Sequence, residues 1–94
     1  MVQTSNEVET LVNIGPAMGR KLRSIGIETK QQFLRRDPYK IYAELLAKVD
    51  PSLCRCVLAS LVGAKKGVKW HLVTQEAAAQ FQRKYPHHEW ANQC

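Results

Sequence analysis

The residues with the clearest chemical potential stand in one run, Asn13-Ile14-Gly15-Pro16, followed closely by Arg20, Lys21 and Arg23. Proline is tolerated in the first turn of a helix, so Gly15-Pro16 reads as a tight break that opens one. The first amides of such a helix have no intrahelical acceptors and carry the positive end of the helix dipole, which suits a phosphate oxygen. Gly15 has no Cβ to hold the phosphate away. Asn13, Ile14, Gly15, Ala17 and Gly19 therefore form a candidate anion-binding turn, with Arg20, Lys21 and Arg23 within two turns of it. A second basic cluster, Lys65, Lys66 and Lys69, follows a later helix. The plainer reading makes these residues a turn joining two packed helices, the solvated face of an amphipathic helix and a solvated loop.

Other reactive side chains do not assemble into a catalytic or metal-binding pattern. Cys54 and Cys56 point to nearly opposite faces of a helix, so they cannot close one zinc site there. They read as core or near-core thiols and Cys94 as a free terminal thiol; an odd count of three cysteines argues against a disulfide framework and for a reducing compartment. His87, His88 and Cys94 lack structural-zinc spacing. Trp70 is expected to anchor the helical core, His71 to cap or pack, and Phe33, Tyr39 and Tyr42 to occupy core or rim. Asp37 lies about twenty residues beyond the hairpin, as a base-excision glycosylase would require. It also precedes Pro38, where it is needed as an N-cap, and the chain is too short to hold a flipped base. No Ser-His-Asp, Cys-His or paired-carboxylate spacing is present, so the expectation is a non-enzyme with no metal, no cofactor and no small-molecule substrate.

The positioning elements are all helical. At 94 residues the chain is one domain, with 45% hydrophobic and 23% charged residues, and no apolar run approaches a membrane span. The opening MVQTSNEVETL lacks the basic and apolar regions of a secretory signal, giving an expected cytoplasmic address. A net charge of +6 favours polyanionic partners. Turn and cap residues mark five to six short helices: one from Thr4 or Ser5 to about Leu11, one from Pro16 to Gly26, one capped by Thr29 and Gln32, one opened by Asp37-Pro38, one from Ser52 to about Ala64, and one from Gln75, capped by Thr74, to Lys84. The core spans about residues 5–73, residues 85–94 are expected to fray, and the helix from Ser52 should be the most buried. Asn13 to Leu53 also contains a repeat at an offset of 35 residues, pairing Pro16 with Pro51 and Arg20 with Arg55. The expected architecture is thus an all-α, pseudo-duplicated bundle of helical hairpins. In it Asp50 takes the place of Gly15 and opposes phosphate, leaving the second hairpin structural.

The run LVNIGPAMGRKLRSIGI resembles the helix-hairpin-helix motif of DNA-binding proteins, with Asn13, which tolerates left-handed geometry, at the usual first glycine. Together with DPYKIYAELL and LVGAKKGVKWHLV it is similar to the C-terminal domain of the TfoX family of bacterial competence regulators, over about Val8 to Val73. The Asp-Pro and Cys-Val-Leu features are also similar to small pathogenicity-locus or mitomycin-resistance proteins, a second choice. The TfoX resemblance implies a helix-hairpin-helix-like fold and a role in transformation and its gene regulation. The expectation is a non-catalytic module gripping the double-stranded DNA backbone. Its alternative is a protein-interaction module in a competence or stress regulator, whose basic surface serves an acidic protein partner.

Overall fold

The structure is a computed structural model and describes residues 7–90. Five α-helices, α1 (Pro16–Ser24), α2 (Lys30–Leu34), α3 (Pro38–Lys48), α4 (Arg55–Lys66) and α5 (Thr74–Lys84), are joined with two 3-10 turns, Glu7–Thr10 and Trp70–Leu72. The described residues contain no strand, and no helix among them is long and apolar enough to cross a membrane.

Local chemistry sets most of the helix ends. α1 opens on Pro16 and stops before Gly26, whose φ of +89° is the left-handed exit. Thr29 and Gln32 close a full capping box on α2: Gln32 N donates to Thr29 Oγ1 and Thr29 N to Gln32 Oε1, each at 3.0 Å. The Asp37 carboxylate accepts from Tyr39 N at 2.9 Å ahead of Pro38 in α3.

Three ends differ from the sequence expectation. The first helix is reduced to the short 3-10 turn Glu7–Thr10; its expected caps Thr4 and Ser5 lie outside the described residues. α4 begins at Arg55, three residues beyond Ser52, because Asp50 accepts both the amide of Ser52 at 2.9 Å and its hydroxyl at 2.6 Å. That local turn competes with helix for the same backbone. In α5, Thr74 is itself helical and its hydroxyl donates to the Trp70 carbonyl at 3.0 Å, so it is not available as an N-cap acceptor.

A single core joins all five helices. α4 lies at its centre, against α3, α5 and the Trp70–Leu72 turn, while α1 and α2 close over the Glu7–Thr10 turn. Leu22, Phe33, Ile41, Tyr42, Leu45, Leu58 and Leu61 are fully buried, and α4 is buried along Leu58, Ala59 and Leu61 to Ala64.

Residues 85–90, expected to fray, instead close over the core. The Trp90 indole N–H donates to the Tyr42 hydroxyl at 2.8 Å, and that hydroxyl faces the carbonyls of Leu53 at 2.8 Å and Cys54 at 3.0 Å. Phe81 meets Tyr42 edge-on at 5.0 Å, His88 meets Trp90 edge-on at 5.0 Å, and Arg55 lies 5.5 Å over the Trp90 ring. Cys54, at the mouth of α4, and Cys56, in its first turn, are both half-buried. Cys94 and the expectation placed on it lie outside the described residues.

Two outcomes follow from these contacts. Tyr42→Phe strands the Trp90 N–H and the two carbonyls, and urea denaturation should show a loss of about 1–3 kcal/mol. Hydrogen bonds from Arg36 at 2.6 Å and Lys48 at 3.1 Å hold the Glu44 carboxyl below its ordinary value of 4.5. Its stabilising contribution is therefore complete above 4.5 and is lost as pH falls through the lowered folded value. Glu44→Gln should flatten the acid limb of a stability–pH curve.

Candidate functional site

The first hairpin starts where Ile14 N donates to Leu11 O at 3.2 Å and Asn13 turns the chain at φ +71°, the one non-glycine residue with positive φ among the described residues. Ile14 is buried and anchors the turn. Gly15, the N-cap residue of α1, is extended at φ −98° and ψ −174°, and no side chain caps the helix. Gly15, Pro16 and Ala17 are exposed. Pro16 has no N–H, and the amides of Ala17 and Met18 that follow it at the start of α1 have no side-chain acceptor among the described residues.

Asn13 fixes this turn to a distant part of the chain. Its Nδ2 donates to Val68 O at 2.8 Å and lies 3.5 Å from Ser60 O, and its Oδ1 accepts from Trp70 N at 3.1 Å. A Cβ at Gly63 would come within 2.6 Å of both Asn13 Nδ2 and Val68 O, so glycine makes room for the clamp. The hairpin and the segment Val68-Lys69-Trp70 are neighbours.

The basic residues separate into two groups. Arg23, expected near phosphate, is bound at 2.8 Å to Glu9, both side chains being only 18% exposed. Gly19 is buried beneath that carboxylate, where a Cβ would meet Glu9 Cγ at 2.6 Å. Lys65 donates to the Leu34 carbonyl, and Lys66 pairs with Glu76 at 2.8 Å. Arg20 and Lys69 are exposed and Lys21 half-buried, and none of the three has a carboxylate at ion-pair distance among the described residues. Arg20 stands one helical turn beyond Pro16 and Lys69 directly precedes Trp70.

Gly15 differs from every other glycine in the chain. Gly26 and Gly67 have positive φ, and Gly19 and Gly63 sit where a Cβ would collide. Gly15 has ordinary torsions and nothing within 4 Å of the position a Cβ would take.

The structure also shifts the register of the repeat. Cys54, the N-cap residue of α4, has φ −87° and ψ 173°, matching Gly15, and buried Leu53 stands where Ile14 does. Leu22 and Leu61 then coincide as fully buried residues. Cys54, not Asp50, occupies the place of Gly15, because the Asp50–Ser52 turn adds residues ahead of the second helix. Hydrogen bonds from Ser52 hold the Asp50 carboxyl below its ordinary range, so it stays charged beside Lys21. The Tyr42 hydroxyl takes up the Leu53 and Cys54 carbonyls in this second hairpin.

Trp70 is 40% exposed, so it is not the core anchor the sequence suggested; Trp90 takes that role. His71 is exposed and meets the Trp70 ring edge-on at 6.0 Å. The Asn13 clamp went unread because its partners stand more than forty residues away; the left-handed tolerance of asparagine was the one local signal.

These elements define a small all-helical bundle in which the N-terminus of α1, like those of α4 and α5, has no side-chain cap, and α1 alone of the three opens at an exposed glycine. The chain belongs to the Cdd1 (pathogenicity locus) family, whose model matches residues 2–90. This overturns the TfoX assignment. The Gly63–His71 segment that carried it serves here to seat Asn13, a packing requirement. A crystal structure of an uncharacterized protein from Listeria monocytogenes, in a triclinic form, is similar at 26% identity, with a TM-score of 0.72 over 87% of this chain and 97% of that one. No curated protein matches the chain.

The clamp is tested by separating its two demands. Asn13→Gly retains the left-handed turn and removes the side-chain bonds, and should cost about 1–3 kcal/mol in chemical denaturation. Gly63→Ala should cost a similar amount by overpacking, and the double variant less than the two combined. An Asn13→Gly variant as stable as wild type would show that the clamp does not hold the turn.

Proposed function

We propose that the chain is a non-catalytic module that holds nucleic-acid phosphate at the N-terminus of α1. The observation that carries this reading is Gly15: an exposed N-cap residue whose lack of a side chain answers no need inside the protein. Space kept clear on the outer side of unpartnered amides lets a phosphate oxygen reach them. Arg20, Lys21 and Lys69 supply the cations around it, and the net charge of +6 supports a polyanionic partner. Arg23, Lys65, Lys66 and Gly19 support the fold. Contacts of this kind address the backbone and carry no base sequence, and the reading places the protein in the cytoplasm, where it would meet nucleic acid.

The test is Gly15→Asp. Aspartate is a good N-cap and meets no neighbour, so the variant should be as stable as wild type or more so by a few tenths of a kcal/mol. Its carboxylate would occupy the anion position. Fluorescence anisotropy with a labelled duplex of about 20 base pairs should show salt-sensitive binding by wild type and about tenfold or greater weakening in the variant. Equal binding by both proteins sinks the hairpin grip; no binding by wild type at low salt sinks the nucleic-acid reading and leaves an acidic protein partner to be sought by pull-down.

A further inference from the structure

We infer that the nucleic acid taken at this site is single-stranded, with an unpaired base stacked on the Trp70 indole while the hairpin holds a phosphate; this rests on the phosphate reading of the hairpin. Trp70 is 40% exposed and Leu72 69% exposed. They stand on a turn whose backbone is tied down: Trp70 N donates to Asn13 Oδ1 at 3.1 Å, Trp70 O accepts from Thr74 Oγ1 at 3.0 Å and from Val73 N at 3.1 Å, and Leu72 N donates to Lys69 O at 3.1 Å. An indole presented from a held backbone loses little conformational freedom when a flat ligand covers it.

The surroundings select the class of ligand. Asn13 joins the turn to the hairpin and is only two residues from Gly15, at most about 7 Å of chain. The exposed Trp70 and Lys69 and the exposed N-cap Gly15 therefore stand on two chain segments that the Asn13 clamp holds together. Glu76, on the first turn of the neighbouring α5, is neutralised by Lys66 at 2.8 Å. A ligand that matches this surface combines negative charge with exposed aromatic faces. Bases inside a duplex have their faces already stacked, whereas those of a single strand are available.

The experiment compares a labelled oligothymidylate of about 20 nucleotides with a blunt duplex of the same length at constant low salt, using the full chain. Wild type should bind the single strand more tightly than the duplex and show quenched tryptophan fluorescence on doing so. Trp70→Ala should weaken single-strand binding by about tenfold or more, lose the quenching and leave duplex affinity unchanged, while Trp70→Phe retains most of the affinity. Unchanged circular dichroism and Tm establish that the variants fold. If Trp70→Ala binds the single strand like wild type while Gly15→Asp weakens both probes, stacking is overturned and the phosphate grip stands. If Gly15→Asp has no effect while Trp70→Ala weakens the single strand, the grip and the combined site are overturned. If wild type binds neither probe, both readings fall and the surface is left to a protein partner.

Discussion

The arrangement of the whole surface depends on the side chain of Asn13. One amide group satisfies the carbonyl of Val68 and the N–H of Trp70, two backbone groups in the connection between α4 and α5. It can do so because the same residue adopts left-handed torsions, which bring the amide over Gly63. Asparagine is the side chain that combines tolerance of that backbone with a donor and an acceptor on one planar head. Alanine would lose the bonds and resist the torsion, and aspartate would lack the donor for Val68. Hairpin geometry, the glycine in the middle of the central helix and the pose of Trp70 are thus one constraint seen from three places.

Around that constraint the protein separates cations that stabilise the fold from cations left for a ligand. Arg23 with Glu9 ties α1 to the Glu7–Thr10 turn, Arg36 and Lys48 share Glu44, and Lys66 reaches Glu76. Surface pairs of this type add little stability individually. Arg20 and Lys69 stay exposed with no carboxylate at ion-pair distance among the described residues, whereas Lys21 shares its surroundings with the ionised Asp50.

Local signals in the sequence were sufficient where the interaction they encode is local. Thr29 with Gln32, Asp37 with Pro38, and Gly26 each act within a few residues, and the structure places them as their chemistry requires. Asp50-Pro51 has the same appearance as Asp37-Pro38 yet forms a turn with Ser52, and this difference displaced both the start of α4 and the register of the repeat. The two tryptophans illustrate the other limit. Trp70 and Trp90 both follow helix-ending segments, but only Trp90 finds a buried hydroxyl to bond, and that hydroxyl belongs to a residue 48 positions away. At the candidate site, the turn and its glycine were readable, whereas the diversion of Arg23, Lys65 and Lys66 into internal contacts depended on which chain segments meet.

The glycine at position 63 has a consequence for the order in which the molecule assembles. Within a helix, glycine weakens winding by about 1 kcal/mol relative to alanine, so the C-terminal half of α4 is not a strong helix on its own. Its stabilising partner, Asn13, is 55 residues from Val68, and contacts of such sequence separation form only after the entropy of a long loop has been overcome. Closure of the hairpin onto α4 therefore carries the entropy cost of a loop of 55 residues. A chain emerging from synthesis carries Asn13 early but lacks the partners of its side chain until the segment from Val68 to Trp70 has been made.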